Sequence, residues 1–271
     1  MQFIVPLIVV IATLIAGLAI FMLLGVDPQI AFKAYFIEPL SSVYGISEWL
    51  LKALPLCLIG LGLAVAYRAQ VWNIGAEGQL VMGGIFATAV MVYAQNSITS
   101  GALVVLMILA GIVGGMVWAG LAAWMRTQFN ANEILTTLML VYVAQSLLQY
   151  LLVGTVDNTA PLQDPMGAGF PQSQMFPAHA TLPLLGQWLP ALETTRLHVG
   201  VLLILLAVPL MWLFVKRSFI GFQMTVAGLA PKAANYAGFK TNRLIWLALL
   251  ISGGLAGLAG FFEQLLDGGI Q

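Results

Sequence analysis

The sequence predicts an all-α, polytopic membrane protein. Of its 271 residues, 61% are hydrophobic and only 7% are charged, and the mean hydropathy is +0.99. Such a chain cannot supply the polar surface of a soluble domain. Its apolar runs approach the ~20 residues of a membrane-spanning helix and do not show the ~10-residue alternating pattern of barrel strands. Because lipid leaves backbone groups without partners outside helices and closed barrels, we expect a helical bundle.

Seven hydrophobic segments can be recognised, and residues 1–271 are interpreted as a single transmembrane domain. The first segment has no basic residues before it and is longer than a signal-peptide core, so we expect a retained span. The third is short for a ~30 Å hydrocarbon layer, which favours a broken or re-entrant element. The segments lie at roughly 3–25, 48–67, 79–94, 99–124, 134–153, 198–215 and 244–266.

Residues 216–243, called the basic island below, carry five of the ten basic residues and no acidic residue. Basic loops between spans stay in the cytoplasm, so this loop and the N-terminus are predicted to be cytoplasmic. Residues 155–196 then form an external loop, in which six prolines exclude a continuous helix. This loop is either a docking surface or an excursion without function. The chain ends soon after the seventh segment, and we expect that a natural C-terminal part is missing.

Catalytic and cofactor signatures are absent from the sequence. It contains no phosphate-binding P-loop, no H-E-x-x-H and no G-x-S-x-G. The two histidines and the single Cys57 do not form a metal-ligand pattern, so we predict no metal, no cofactor and no enzymatic activity. Zero net charge argues against nucleic-acid binding. If transport consumes ATP, another chain must bind it.

The connection between the second and third segments is unusually polar. Asn73, Glu77 and Gln79 alternate with two glycines in the run Asn-Ile-Gly-Ala-Glu-Gly-Gln. A carboxylate at membrane depth is costly unless it is paired or faces water, so these three residues are candidates for a translocation path. The alternative is an ordinary cytoplasmic turn in which Glu77 is solvated or pairs with Arg68.

A second polar cluster opens the fifth segment. Asn130 or Asn132 could cap that helix, and Glu133 in its first turn suits the positive end of the helix dipole. Further along, Tyr142, Gln145 and Gln149 recur at spacings of three and four and share one helical face. Such a stripe either lines a passage or makes interhelical hydrogen bonds of ~0.6 kcal/mol each.

Two further patterns concern packing and docking. Within the basic island, Pro231 can begin a short helix and Gly238 can follow its end, which predicts a two-turn helix over 232–237. This helix either docks on a partner or rests on anionic lipid. Small residues at four-residue spacing predict close helix packing at Gly111/Gly115, Gly253/Gly257 and Ala256/Gly260.

Three motifs, at 73–79, 132–140 and 228–238, resemble in content and order those of permease subunits of bacterial ABC importers. The resemblance is to the branched-chain amino acid and simple sugar permease superfamily, in its nucleoside group associated with basic membrane lipoproteins. It covers the chain from about residue 45 onward.

The resemblance implies a type II importer fold in the bacterial inner membrane. Its partners would be a second permease, a cytosolic ABC ATPase and an external substrate-binding lipoprotein. The solute would be a nucleoside or simple sugar, with branched-chain amino acid transport or an ion-coupled carrier as alternatives. Asn73, Glu77, Gln79, Asn132, Glu133, Tyr142, Gln145 and Gln149 would lie along the path. The ATPase-coupling residues would be Gly228, Pro231, Lys232, Ala233, Ala234, Asn235, Tyr236 and Gly238.

Overall fold

Helices form the framework of the part that the computed structural model describes, which is residues 4–153, 160–167 and 170–267. Seven helices in this part are long and apolar enough to cross a membrane, which confirms the predicted fold class. The long helices are α1 (Ile4–Leu23), α4 (Val43–Arg68), α5 (Ala76–Ala94), α6 (Ser100–Phe129), α7 (Glu133–Leu152), α8 (Gly200–Arg217) and α11 (Thr241–Asp267). The shorter ones are α2 (Pro28–Phe32), α3 (Glu38–Ser41), α9 (Phe219–Leu229) and α10 (Pro231–Tyr236), with a π-helical stretch, Lys33–Ile37, before α3.

The chain divides into two compact units. The smaller unit comprises residues up to Leu50 together with Leu185–Leu197. Within it, α2 starts where the Asp27 side chain accepts a hydrogen bond from the backbone N–H of Gln29 at 2.8 Å. The Arg196 guanidinium forms an ion pair with Glu48, and its Nε donates to Glu48 Oε1 at 3.0 Å. This pair fixes the 185–197 segment to the first turns of α4.

The larger unit, Leu51–Leu184 with His198–Gln271, is centred on α5, α6 and α11. These helices touch backbone to backbone at glycines. A side chain at Gly257 would overlap the carbonyl oxygen of Gly111, and one at Gly115 would overlap that of Gly253. The predicted pairs Gly111/Gly115 and Gly253/Gly257 are therefore the places where α6 and α11 approach most closely.

Helix α5 starts deep inside this unit. A Cβ at Gly78 would lie 2.9 Å from the Cα of Val141, and Trp118 Nε1 donates to the neighbouring carbonyl of Leu140 at 3.0 Å. Counted from Leu140, α7 runs back ~10 Å to its first residue. Counted from Trp118, α6 runs on ~16 Å to its last residue. The first turn of α5, from Gly75 beside Thr137 to Gly78 beside Val141, thus lies level with the part of α7 that is about 6–12 Å from its start. Helix α5 is unbroken over 19 residues, so a break in the third segment is wrong, whereas the late start explains its short hydrophobic run.

The segment between α7 and α8 has no long helix in its described part, in agreement with its prolines. Short 3-10 turns occur at Ala178–Ala180, Leu185–Gln187 and Pro190–Leu192. Just before α8, the ring of His198 stacks on Phe262 of α11, with the ring centroids 5.7 Å apart. Burial of this ring lowers the pKa of His198 from 6.5 to about 4, so the imidazole is neutral near pH 7.

The basic island is almost entirely helical, which corrects its description as a loop. Arg217 ends α8, Ser218 caps α9 by accepting from the backbone N–H of Gly221 at 2.9 Å, and α10 follows after Ala230. The short helix expected over 232–237 is present as Pro231–Tyr236, and Gly238 has φ +80°, a value that favours glycine.

Candidate functional site

The polar connection before α5 is locked by a buried amide pair. Asn73 and Gln79 are each only 1% exposed. Asn73 Nδ2 donates to Gln79 Oε1 at 2.9 Å, and Gln79 Nε2 donates back to Asn73 Oδ1 at 3.0 Å. Asn73 also donates to Ser252 Oγ of α11 at 2.9 Å and accepts from the N–H of Gly75 at 3.2 Å. Every hydrogen-bonding position of the Asn73 amide is therefore occupied.

This network explains how a non-helical segment can lie deep in the bundle. Irregular backbone at membrane depth is tolerated where protein groups satisfy its polar atoms. Asn73 binds the N–H of Gly75, and Thr137 Oγ1 of α7 accepts from the N–H of Ile74 at 3.2 Å. The burial of Asn73 and Gln79 within one chain favours a structural role for both. Their place along a translocation path stays a prediction.

Replacing Asn73 by Ala is expected to destabilise the protein by ~1–3 kcal/mol, because the buried Gln79 amide and the Gly75 N–H lose their partners. The measurement is the thermal unfolding midpoint of the purified protein in detergent, which should fall clearly. Gln149→Ala is the matched control, since it removes an exposed amide from α7 and should leave the midpoint unchanged. Equal midpoints for Asn73→Ala and wild type would contradict the structural role.

Glu77 differs from the buried Asn73 and Gln79 because its side chain is on the surface of the protein. It is exposed in the first turn of α5, and its Oε1 accepts a hydrogen bond from Gln145 Nε2 at 2.8 Å. The carboxylate thus contacts α7, and among the described residues no ion pair joins it to the alternative partner Arg68, the last residue of α4. At this depth, an exposed carboxylate requires water or a polar partner.

The predicted polar stripe of α7 does share one face, and that face is open. Tyr142, Gln145 and Gln149 are all exposed. They line a groove of about 500 Å³ together with Ser146 and the apolar residues Leu148, Leu152, Val153 and Pro171. We call this groove, with Glu77 next to it, the α7 groove. Apart from the bond of Gln145 to α5, the three side chains make no hydrogen bond to another helix within the described ranges. We expect a polar surface on a membrane-spanning helix to face water or a second protein.

The start of α7 is fixed by its own sequence. Asn132 is the capping residue, with its Oδ1 accepting from the N–H of Ile134 at 2.9 Å, whereas Asn130 ends α6 in a left-handed conformation. Glu133 forms an ion pair with Arg126 on α6. These contacts give Asn132 and Glu133 a structural task at the α6–α7 turn, and their role along the path stays a prediction.

In the proposed coupling segment, most side chains of α10 are exposed and one anchors the helix to the rest of the larger unit. Ala234 is fully buried, whereas Tyr236 on the same short helix is 97% exposed. Lys232, Ala233 and Asn235 are exposed as well. Gly228 at the end of α9 packs on the end of α4, where a Cβ would lie 2.6 Å from the carbonyl oxygen of Arg68. Gly228 thus connects α9, which continues into α10, with the end of α4.

Sequence reasoning missed three contributors. Thr137 and Ser252 complete the network around Asn73, and Ser146 adds to the α7 groove. Ser146 could have been found, because it neighbours Gln145 and lies one turn after Tyr142. Ser252 is 179 residues from Asn73, and no local pattern connects the two.

The family model that matches the chain is described as a branched-chain amino acid transport system permease component, and it covers residues 45–271. The glucose ABC transporter permease protein TsgB13 of Haloferax volcanii is 38% identical over 95% of this chain and 67% of its own length. The guanosine ABC transporter permease protein NupP of Bacillus subtilis is 30% identical over 96% of this chain and 71% of its own length. The nucleoside ABC transporter permease protein NupB of Lactococcus lactis is 27% identical over 94% and 69%, respectively. No solved structure matches the chain.

Proposed function

The chain belongs to the family of branched-chain amino acid transport system permease components, and from this premise we propose that it is the membrane-spanning subunit of an ATP-driven importer. It would carry nucleoside-like or simple-sugar-like solutes into the cytoplasm. The membrane would be the bacterial inner membrane, with the N-terminus cytoplasmic.

The charge distribution supports this orientation. Trp246 near the start of α11 donates to Thr127 near the end of α6 at 3.1 Å, so these helix termini lie at one end of the larger unit. The ends of α4 and α8 lie there too, together with α9 and α10. This end carries seven of the ten basic residues: Arg68, Arg126, Lys216, Arg217, Lys232, Lys240 and Arg243. Basic residues next to spans favour the cytoplasmic side.

The observation that carries the transport proposal is the α7 groove. Its polar side chains and the Glu77 carboxylate face outward at a depth where lipid would leave them without partners. A second permease placed against this face would enclose a polar passage between the two chains. Alternating access then requires that the two permeases move against each other, while each keeps its glycine-packed centre.

The proposed partners are an ATPase on the cytoplasmic side and a binding protein on the external side. A cytosolic ABC ATPase would hold α10 in a surface groove, with Tyr236 as the projecting contact. An external substrate-binding lipoprotein would dock on the predicted external loop, whose residues 161 and 174 are hydrogen-bonded to the end of α5 and the residue that follows it. Tyr93 Oη donates to the carbonyl of Pro161 at 3.3 Å, and Gln95 Nε2 donates to Gln174 Oε1 at 3.1 Å.

The solute class is proposed from relatives whose names include guanosine, nucleoside and glucose. The α7 groove agrees in chemistry, because amide and hydroxyl groups match the hydroxyls of a ribose or a hexose. It presents no dedicated cation to hold the carboxylate of an amino acid among the residues that line it. This favours a sugar-containing solute over a branched-chain amino acid.

Uptake into proteoliposomes tests the function. The permease is reconstituted with its ATPase, partner permease and binding protein, and accumulation of labelled guanosine, glucose and leucine is measured. We expect accumulation of guanosine or glucose that requires enclosed ATP. Uptake driven by a proton or sodium gradient without the ATPase would show a secondary transporter instead. Uptake of leucine alone would show that the solute is a branched-chain amino acid and not a sugar-containing compound.

A further inference from the structure

A groove between α4 and α8 combines an apolar wall with two cations at one end. It encloses about 260 Å³ and is lined along its length by side chains such as Leu61, Val65, Met211 and Trp212. Arg68, the last residue of α4, and Lys216, in the last turn of α8, lie at its basic end. No acidic residue lines it among the described residues.

The two cations are available for a ligand. Arg68 and Lys216 are both exposed, and neither takes part in an ion pair within the described ranges 4–153, 160–167 and 170–267. Two positive charges at the mouth of one groove repel each other, and an anion bound between them offsets this repulsion. An anion held there would leave the apolar part of the groove for whatever is attached to it.

We propose that this groove binds an anionic phospholipid, with the phosphate at Arg68 and Lys216 and part of an acyl chain along α4 and α8. Basic pockets between membrane helices on the cytoplasmic side are suited to acidic headgroups. Trp212 is 54% exposed on α8, as expected for an aromatic side chain that contacts lipid near the membrane surface. A helix of another protein would fit less well, because it would have to bring an acidic residue to the cationic end.

The lipid would have a structural consequence for coupling. The end of α4 touches Gly228 of α9, which leads into α10. A headgroup that bridges Arg68 and Lys216 would hold the ends of α4 and α8 together beside this contact. The binding inference rests on membrane insertion and on the proposed cytoplasmic orientation of this end, but not on the solute or on coupling to ATP, so lipid binding and transport can each fail while the other holds.

Quenching of Trp212 fluorescence tests the proposal. The intact transport complex in detergent is titrated with phosphatidylglycerol carrying brominated acyl chains, and separately with brominated phosphatidylcholine. The Trp212 signal is the difference between wild type and Trp212→Phe. With ~1 kcal/mol for each cation, we expect half-quenching at a roughly tenfold to thirtyfold lower concentration of the anionic lipid. Inorganic phosphate should not displace it, because phosphate lacks the acyl chain.

Two charge variants decide the assignment. Arg68→Gln with Lys216→Gln should abolish the preference for the anionic lipid. Lys240→Gln with Arg243→Gln removes the same charge from the basic island outside the groove and should preserve it. Equal quenching by both lipids, equal loss in both variants, or no quenching in the complex because another chain fills the groove would overturn the proposal. If Trp212→Phe does not fold, native mass spectrometry of lipids bound to the two charge variants gives the same decision.

Discussion

Replacing Tyr236 by Ala is expected to reduce ATP-dependent uptake by about thirtyfold or more without changing the stability of the permease. The reason is its position: at 97% exposure Tyr236 contributes almost nothing to packing inside the chain, yet it projects from a helix whose Ala234 is fully buried. An aromatic side chain inserted into a partner's pocket typically contributes 2 kcal/mol or more to binding. Two measurements are needed, namely ATPase co-purification and solute uptake by the reconstituted complex.

Tyr150→Ala provides the matched control for this change. Tyr150 is 70% exposed near the opposite end of α7, so its loss removes a similar exposed aromatic surface away from the ATPase. We expect Tyr150→Ala to retain ATPase co-purification. If Tyr236→Ala also retains it, α10 is not the coupling contact, and the exposed aromatic residues of α9 become the next surface to test.

The sequence was informative where a residue acts on its own helix. Pro231 and Gly238 predicted both ends of α10, and Asn132 was among the two candidates for the cap of α7. The spacing of Tyr142, Gln145 and Gln149 predicted a shared face. These features depend on backbone dihedral angles and helical periodicity, which a window of ten residues contains.

Features that depend on distant partners were not predictable in the same way. The sequence showed that Asn73, Glu77 and Gln79 are polar residues beside an apolar run, but it could not separate the buried pair from the exposed carboxylate. That separation depends on Ser252 and Gln145, which other helices bring to the motif. Helix α9 was missed because its apolar residues lie between the basic groups that suggested a loop, although Ser218 was a recognisable cap.

The largest effect on folding is expected at Gly257. A methyl group there would overlap the carbonyl oxygen of Gly111 and lie 2.9 Å from the Cα of Gly115. Both obstacles are backbone, so no side-chain rotation can relieve them, and α11 must move away from α6. Overpacking costs ~1–3 kcal/mol where side chains can adjust, and we expect Gly257→Ala to reach or exceed the upper end of that range.

Gly60→Ala is the control, since a methyl group on that exposed position of α4 meets no atom within 4 Å. Folded yield, measured by size-exclusion chromatography after detergent extraction, should fall severely for Gly257→Ala and stay at the wild-type level for Gly60→Ala. A wild-type yield for Gly257→Ala would mean that α6 and α11 separate at little cost. The two permeases could then change shape internally during transport. A severe loss would show that folding requires this contact, and it would agree with the proposal that the alternating-access motion lies between the chains, at the α7 groove.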